Sequence, residues 1–148
     1  MEPIRTQEER RNHKNVALEN AQETILAVLA AGQLPVGTAI SEEDFDDQLL
    51  REVYLGLCAG RTLAAMADSQ VGDEERSRIA RLMKRDAGED TTQRLRMVKD
   101  CLNTIRKDRL ARKKQELLEK VKHLEGQKKQ EALEEFRALM QQEKQLDQ

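Results

Sequence analysis

The apolar positions between Asp90 and Leu124 predict one long helix that contributes to two hydrophobic cores. The stretch contains no Gly or Pro, and Asp90 or Thr91 can cap its start by accepting hydrogen bonds from free backbone N–H groups. The apolar stripe of its first half is formed by Leu95, Val98, Leu102 and Ile105. The stripe of its second half, rotated by roughly 100°, is formed by Leu110, Leu117, Val121 and Leu124. A helix whose apolar face changes direction midway is predicted to link two bodies.

Shorter helical patterns joined by tight links precede this helix. Residues 1–13 are polar, and we interpret them as a flexible N-terminal segment. Apolar spacing predicts a helix from about Lys14 to Ala31 and another from about Asp73 to Arg85. The inward side chains predicted for the later helix are Ile79, Leu82 and Met83. With the first half of the long helix, these segments predict a helix-bundle subdomain over residues 14–109.

A helix start signal lies between these two patterns. Ser41 is followed three residues later by Asp44, which is the arrangement of a capping box. Ile40 and Phe45 flank the box and can form a hydrophobic staple. The signal opens either a short helix or one that continues to Ala59.

The last two helical patterns predict an antiparallel hairpin subdomain over residues 110–148. Gly126 separates the long helix from a last helix of about Lys128 to Lys144, and so short a link reverses the chain direction. The predicted seam sets Leu117, Val121 and Leu124 against Leu133, Phe136 and Met140.

The last helix carries more apolar width than this seam requires. Leu139, Leu146 and part of Phe136 have no place in the predicted seam, so either the bundle or a second copy covers them, or a partner does. Exposed apolar side chains rimmed by Lys and Gln favour a docking surface. The candidate partner-binding residues are Phe136, Arg137, Leu139, Met140, Gln142, Lys144 and Leu146.

The composition supports an all-α fold and excludes several classes of protein. Of the 148 residues, 36% are charged and only 2% are aromatic, which favours helices over strands. A net charge of −2 argues against strong nucleic-acid binding by the chain as a whole. The longest apolar run, Ile25 to Ala31, is too short to span a bilayer, so we expect no membrane partner and a cytoplasmic location.

The sequence contains no constellation that predicts catalysis, a metal or a cofactor. His13 and His123 lie far apart, and two isolated cysteines, Cys58 and Cys101, are interpreted as small buried apolar residues. Three acidic residues, Asp44, Asp46 and Asp47, are predicted to fall in a first helical turn, where they interact favourably with the helix dipole. The basic run from Arg106 to Lys114 is interpreted as a solvated face, with an acidic protein or phosphates as alternative contacts.

The order of these segments resembles a known family of replication proteins. The first half, which resembles the helicase-interacting fold, contains ALENAQETILAVLAAG, then SEEDFDDQLLREVYLGL, then EERSRIARLM. The second half contains EDTTQRLRMVKDCLNTIRKDRLARKKQELLEKVKHLEGQ, followed by EALEEFRALMQQEKQL. It resembles the C-terminal end of a DnaG-type bacterial DNA primase, and the match covers nearly everything from about residue 14 onward.

The resemblance implies a non-catalytic domain that binds the N-terminal domains of the hexameric replicative helicase and couples primer synthesis to unwinding. It also implies a fragment without the zinc-binding and polymerase domains, so the chain itself would not be an enzyme. We expect a monomer or weak dimer. Two alternatives stay open: the N-terminal domain of the helicase itself, which shares the bundle fold, and a self-associating helical structural protein.

Overall fold

A computed structural model describes residues 7–146 and, in the first helix, the side chains from Val16 onward. These residues form six α-helices and one short 3-10 helix, Glu42–Asp44, and contain no strand. The α-helices are α1 (Gln7–Ala30), α2 (Gln48–Cys58), α3 (Leu63–Asp68), α4 (Asp73–Lys84), α5 (Thr91–Val121) and α6 (Gln127–Leu146). The predicted all-α fold is confirmed. Across the described residues, no helix combines the length and the hydrophobicity that crossing a bilayer requires.

The first helix begins earlier than the sequence pattern predicts. It starts at Gln7, seven residues before Lys14. Residues 7–13 contain neither Gly nor Pro and are mostly Gln, Glu and Arg, which extend a helix at little cost. Only residues 1–6 of the predicted flexible segment remain, and they lie outside the described residues.

The chain divides into two compact units, Met1–Leu102 and Asn103–Gln148, seven residues before the predicted boundary. In the first unit α1 packs against α2 and α4, and α3 packs against the same two helices. Helix α5 contributes residues to both units and is uninterrupted through its charged stretch, residues 106–114.

Side chains from every helix of the first unit are buried in that unit. Those with the least exposure include Ile25, Leu26, Val28, Leu50, Val53, Ile79, Leu82 and Val98. Phe45 is also fully buried and stacks on Tyr54, with ring centroids 5.1 Å apart. The Tyr54 hydroxyl donates a hydrogen bond to the Ile40 carbonyl over 3.3 Å. These contacts hold the 3-10 segment against α2.

Two predicted caps are formed by the expected side chains. The Ser41 N–H donates to the Asp44 carboxylate over 2.9 Å, and the Gln93 N–H donates to the Asp90 carboxylate over 2.7 Å. The signal at Ser41 opens a short 3-10 helix rather than one that continues to Ala59. Helix α2 has its own N-cap, Asp47, whose carboxylate accepts from two backbone N–H groups.

Three predicted burials in the first unit are wrong. Met83 and Leu95 are about half exposed, and Cys58 is exposed. Met83 and Cys58 lie in the last turns of α4 and α2, and Leu95 lies at the start of α5. Helical spacing fixes the direction of a side chain but not whether a neighbouring helix extends far enough to cover it.

Two adjacent polar residues of α1, Gln22 and Glu23, are buried in the first unit and form hydrogen bonds or ion pairs with other segments. The Glu23 carboxylate, only 2% exposed, accepts from Arg81 over 2.8 Å and from Arg85 over 3.1 Å. The Gln22 amide donates to the Asp44 carbonyl over 3.1 Å and to the Asp46 carboxylate over 2.7 Å. The pair therefore joins α1 to α4 and to the segment before α2.

Asp47 also joins α2 to α4. Its carboxylate accepts from Leu49 and Leu50 N–H groups and pairs with the Arg78 guanidinium at 2.9 Å. Burial alone would raise the pKa of Asp47, but the Arg78 guanidinium and the two N–H groups outweigh it and lower the pKa. A carboxyl group with a lowered pKa stabilises the fold above its unfolded pKa, and this contribution is lost as the pH falls through the folded pKa.

We predict that Asp47→Asn reduces the loss of stability on acidification. Asn keeps an acceptor for the cap but removes the ion pair with Arg78. The free energy of unfolding of the variant should therefore be about 0.5–1 kcal/mol lower than that of the wild type at neutral pH. Its free energy of unfolding should then fall less than that of the wild type between about pH 5 and about pH 3. Urea unfolding at both pH values measures this difference.

Asp73→Asn is the control for this measurement. The Asp73 side chain is almost fully exposed and pairs only with Arg76 in its own helix. Its unfolding should follow the wild type at both pH values. An Asp47→Asn variant that loses as much stability on acidification as the wild type would contradict the assignment.

Candidate partner-binding site

The second half of α5 and helix α6 form a helical hairpin with its own hydrophobic core. Residues 122–126 link the helices, and Lys114 of α5 forms an ion pair with Glu143 near the end of α6, so the helices run antiparallel. The buried side chains of this core are Leu110, Leu117, Ala132 and Leu139. Partly buried side chains pack around it: Val121, Leu124, Phe136 and Leu146.

The predicted seam is wrong at two of its three α6 positions, whereas Phe136 packs against the core as predicted. Leu139, assigned to the docking surface, is 7% exposed and belongs to the core, whereas Leu133 and Met140, assigned to the seam, are 37% and 42% exposed. The observed stripe of α6 is formed by Ala132, Phe136, Leu139 and Leu146. Its spacing continues along the whole helix, whereas Leu133 and Met140 would cover only its middle.

The structure divides the predicted partner-binding residues into two groups. Phe136 and Leu146 pack against the hairpin core with Leu139, so their apolar surface is largely used within the hairpin. The exposed members are Arg137, Met140, Gln142 and Lys144. Among these, Arg137, Met140 and Lys144 lie on one side of α6, and Gln142 lies roughly 140–160° away.

An exposed apolar face remains on the hairpin after its core is filled. Met140 and Leu133 differ by seven residues and therefore point in nearly the same direction from α6. Leu118 of α5 is 43% exposed and follows the buried Leu117. We call these three residues, Leu118, Leu133 and Met140, the apolar face. The sequence analysis did not include Leu118, because its neighbour Leu117 already filled the seam position in that turn. The presence of a second, adjacent Leu is the pattern that could have indicated an exposed apolar residue there.

Leu118 lies on the same side of the hairpin as Leu133 and Met140. Leu118 is turned from the α5 seam by roughly 70°, and the two α6 residues are turned from theirs by roughly 80–100° in the same rotational sense. In two antiparallel right-handed helices, equal rotations away from the seam lead to the same side of the pair. The Lys114–Glu143 contact also sets the register, which puts Leu118 near the level of Met140.

A shallow depression adjoins this face. It has a volume of about 240 Å³ and is lined by Gly126, Lys129, Gln130, Leu133, Glu134 and Arg137. It begins at the turn between the helices and runs beside Leu133. A side chain of a partner placed there would contact an apolar residue, two cationic groups and the Glu134 carboxylate.

A second cleft, of about 420 Å³, lies in the first unit. It is lined by Glu19, Asp47, Glu74, Ser77, Arg78 and Arg81. Arg78 pairs with Glu19 at 3.1 Å and with Asp47, and Arg81 pairs with Glu23. Because these pairs already join three segments of the bundle, we assign them a structural role.

Residues that could carry chemistry are not brought together in the described part of the chain. No group of His, Cys, Asp and Glu side chains there has the arrangement of a metal site. Burial raises the pKa of the Cys101 thiol and outweighs the opposing effect of Thr24, so this thiol is poorly suited to act as a nucleophile. Comparison with protein families, with curated proteins and with solved structures finds no match to this chain.

We predict that Leu139→Ala destabilises the hairpin far more than Leu133→Ala. Removing the buried Leu139 side chain leaves a cavity in the core and should cost about 2–3 kcal/mol. The same change at the exposed Leu133 should cost less than about 1 kcal/mol. Amide hydrogen exchange across residues 127–146 measures the local opening free energy. Equal losses in the two variants would show that the core assignment is wrong.

Proposed function

We propose that this chain is a non-catalytic binding module that docks on the N-terminal domains of a hexameric replicative helicase and couples primer synthesis to unwinding. The observation that carries the proposal is the apolar face of the hairpin, Leu118, Leu133 and Met140. Its residues are large, lie on one side, and are not used by the core beside them.

The exposure of this face has a cost that a partner would remove. The hairpin core contains only four buried side chains, so the hairpin is stabilised by little apolar burial. Three further large apolar side chains nevertheless remain exposed to water. Exposed apolar residues that cluster on one side of a protein mark interaction sites. A few well-placed apolar side chains can supply most of the binding energy of an interface.

The resemblance to DnaG-type primases identifies the proposed partner. It rests on the order of the helical segments, and the contacts of the described residues fit that order: a bundle, a long helix and a hairpin. The proposal includes a cytoplasmic location, where such a helicase acts. In this reading the bundle and the hairpin serve recognition, and the polymerase chemistry belongs to other domains.

Self-association is the second candidate, because the same apolar face could pack on a second copy of the chain. Light scattering of the chain alone separates the two functions. A mass that stays monomeric over a wide concentration range favours a different partner, and a mass that doubles favours self-association.

We predict that the chain co-elutes with its cognate helicase hexamer at micromolar concentrations. Gel filtration of the mixture should give a species larger than the hexamer alone. A chain that elutes separately under these conditions would exclude the proposed function.

We predict that Leu133→Ser combined with Met140→Ser weakens this complex at least about tenfold, because both substitutions remove apolar contact area. Met83→Ser combined with Leu95→Ser is the matched control, since it removes one exposed Met and one exposed Leu from the first unit. Circular dichroism of both variants should match the wild type. Equal weakening by the two pairs would argue against the hairpin as the docking surface.

A further inference from the structure

Charged residues are segregated around α6. Lys129, Arg137 and Lys144 fall within roughly 80° of the helix circumference, in the same sector as Leu133 and Met140. The carboxylates of α6 that face away from the seam lie in a different sector: Glu131, Glu134 and Glu135. The sector of α6 that carries the exposed apolar residues therefore carries three cationic side chains, and Glu134 lies at its edge, where it lines the depression with Leu133 and Arg137.

The adjoining surface of α5 carries cationic side chains that are paired with carboxylates. Leu118 lies on this side, and the charged residues nearest to it in the helical projection are Lys114 and Lys122. These two lysines pair with Glu143 and Glu119, respectively. The carboxylates of Glu116 and Glu119 are turned away from Leu118 by roughly 100–160°. The carboxylate of Glu143 lies beside the face at the seam, where Lys114 neutralises it.

We propose that this face recognises an acidic amphipathic helix of its protein partner, with apolar residues of that helix on Leu118, Leu133 and Met140 and its Asp or Glu residues beside Lys129, Arg137 and Lys144. The inference rests on the proposed function and specifies the chemistry of the helicase surface that the hairpin selects. The distance from Lys129 to Lys144 along α6 is roughly 22 Å, which corresponds to a partner helix of about four turns.

A protein helix fits the face better than a polyanion or a lipid surface. The centre of the face is apolar and has no aromatic ring on which a base could stack. Three apolar side chains are few for insertion into a bilayer, and the acidic residues on the remainder of α6 would repel an anionic surface. A partner helix with an apolar stripe flanked by carboxylates would contact both the apolar centre and the cationic rim of the face. The opposite charges at the rim would set the orientation of that helix.

Reversal of the charges at Arg137 and Lys144 tests the inference. The variant Arg137→Glu/Lys144→Glu should bind the cognate helicase hexamer at least about tenfold more weakly at low salt. Raising the salt from about 50 mM to about 500 mM should weaken the wild-type complex more than the variant complex. Fluorescence anisotropy of the labelled chain, titrated with the hexamer, measures both effects.

Lys113→Glu/Lys120→Glu is the matched control. It makes the same change in net charge with the same spacing of seven residues, and both positions are exposed on α5. They are turned roughly 140–160° away from Leu118, on the other side of the hairpin. This variant should bind within about twofold of the wild type. If reversal at Arg137 and Lys144 lowers helicity, Arg137→Gln/Lys144→Gln replaces it, with the same expected direction.

The outcomes separate this inference from the proposed function. A hexamer that binds the wild type and the Arg137→Glu/Lys144→Glu variant equally well would overturn the inference and leave the proposed function standing. A hexamer that binds neither would overturn both.

Two further probes test whether the face binds nucleic acid or lipid. They are a single-stranded oligonucleotide of about 20 nucleotides, and vesicles of equal parts phosphatidylglycerol and phosphatidylcholine. We expect no binding to either at micromolar concentrations. If the wild type binds either probe at micromolar concentrations and the Arg137→Glu/Lys144→Glu variant does not, the face binds phosphates or lipid instead of an acidic helix.

Discussion

The register of α6 against α5 determines which surface of the hairpin is available. Leu139 and Ala132 enter the core that also contains Leu110 and Leu117, and the Lys114–Glu143 pair fixes the two helices along their length. With these residues in the core, the rotation of α6 about its own axis is fixed. Leu133 and Met140 then lie on its exposed side. A rotation by one residue would exchange Leu139 for Met140 and remove the apolar face. The candidate site is therefore a consequence of core packing.

The first unit is held together in a different way. Glu23 is buried in the C-terminal half of α1 and would carry an uncompensated charge without Arg81 and Arg85. Breaking such a pair costs far more than the intact pair contributes, because the remaining charge has lost its water. With Gln22, it commits α1 to one arrangement of α4 and the segment before α2.

The sequence was sufficient for the features that depend on neighbouring residues. Helix content, the caps at Asp90 and Asp44, and the two rotated stripes of α5 are local, since each involves residues within a turn or two. The α6 seam was mispredicted because Leu133 and Leu139 both lie three residues from Phe136, on opposite sides of it along the chain. The choice between them depends on side chains of α5 and on burial along the full helix. Buried Glu23 was missed for the same reason, since its partners are 58 and 62 residues away.

Helix α5 contributes buried side chains to the cores of both units. Its bundle stripe includes Val98 and Leu102, and its hairpin stripe includes Leu110 and Leu117. Starting a helix is costly, whereas extending one adds a hydrogen bond for each residue fixed. The first arm of the hairpin therefore extends from a helix that the bundle already stabilises, and only α6 must be added to complete it. A hairpin with so small a core can then form without using Leu118, Leu133 and Met140, which stay available to a partner.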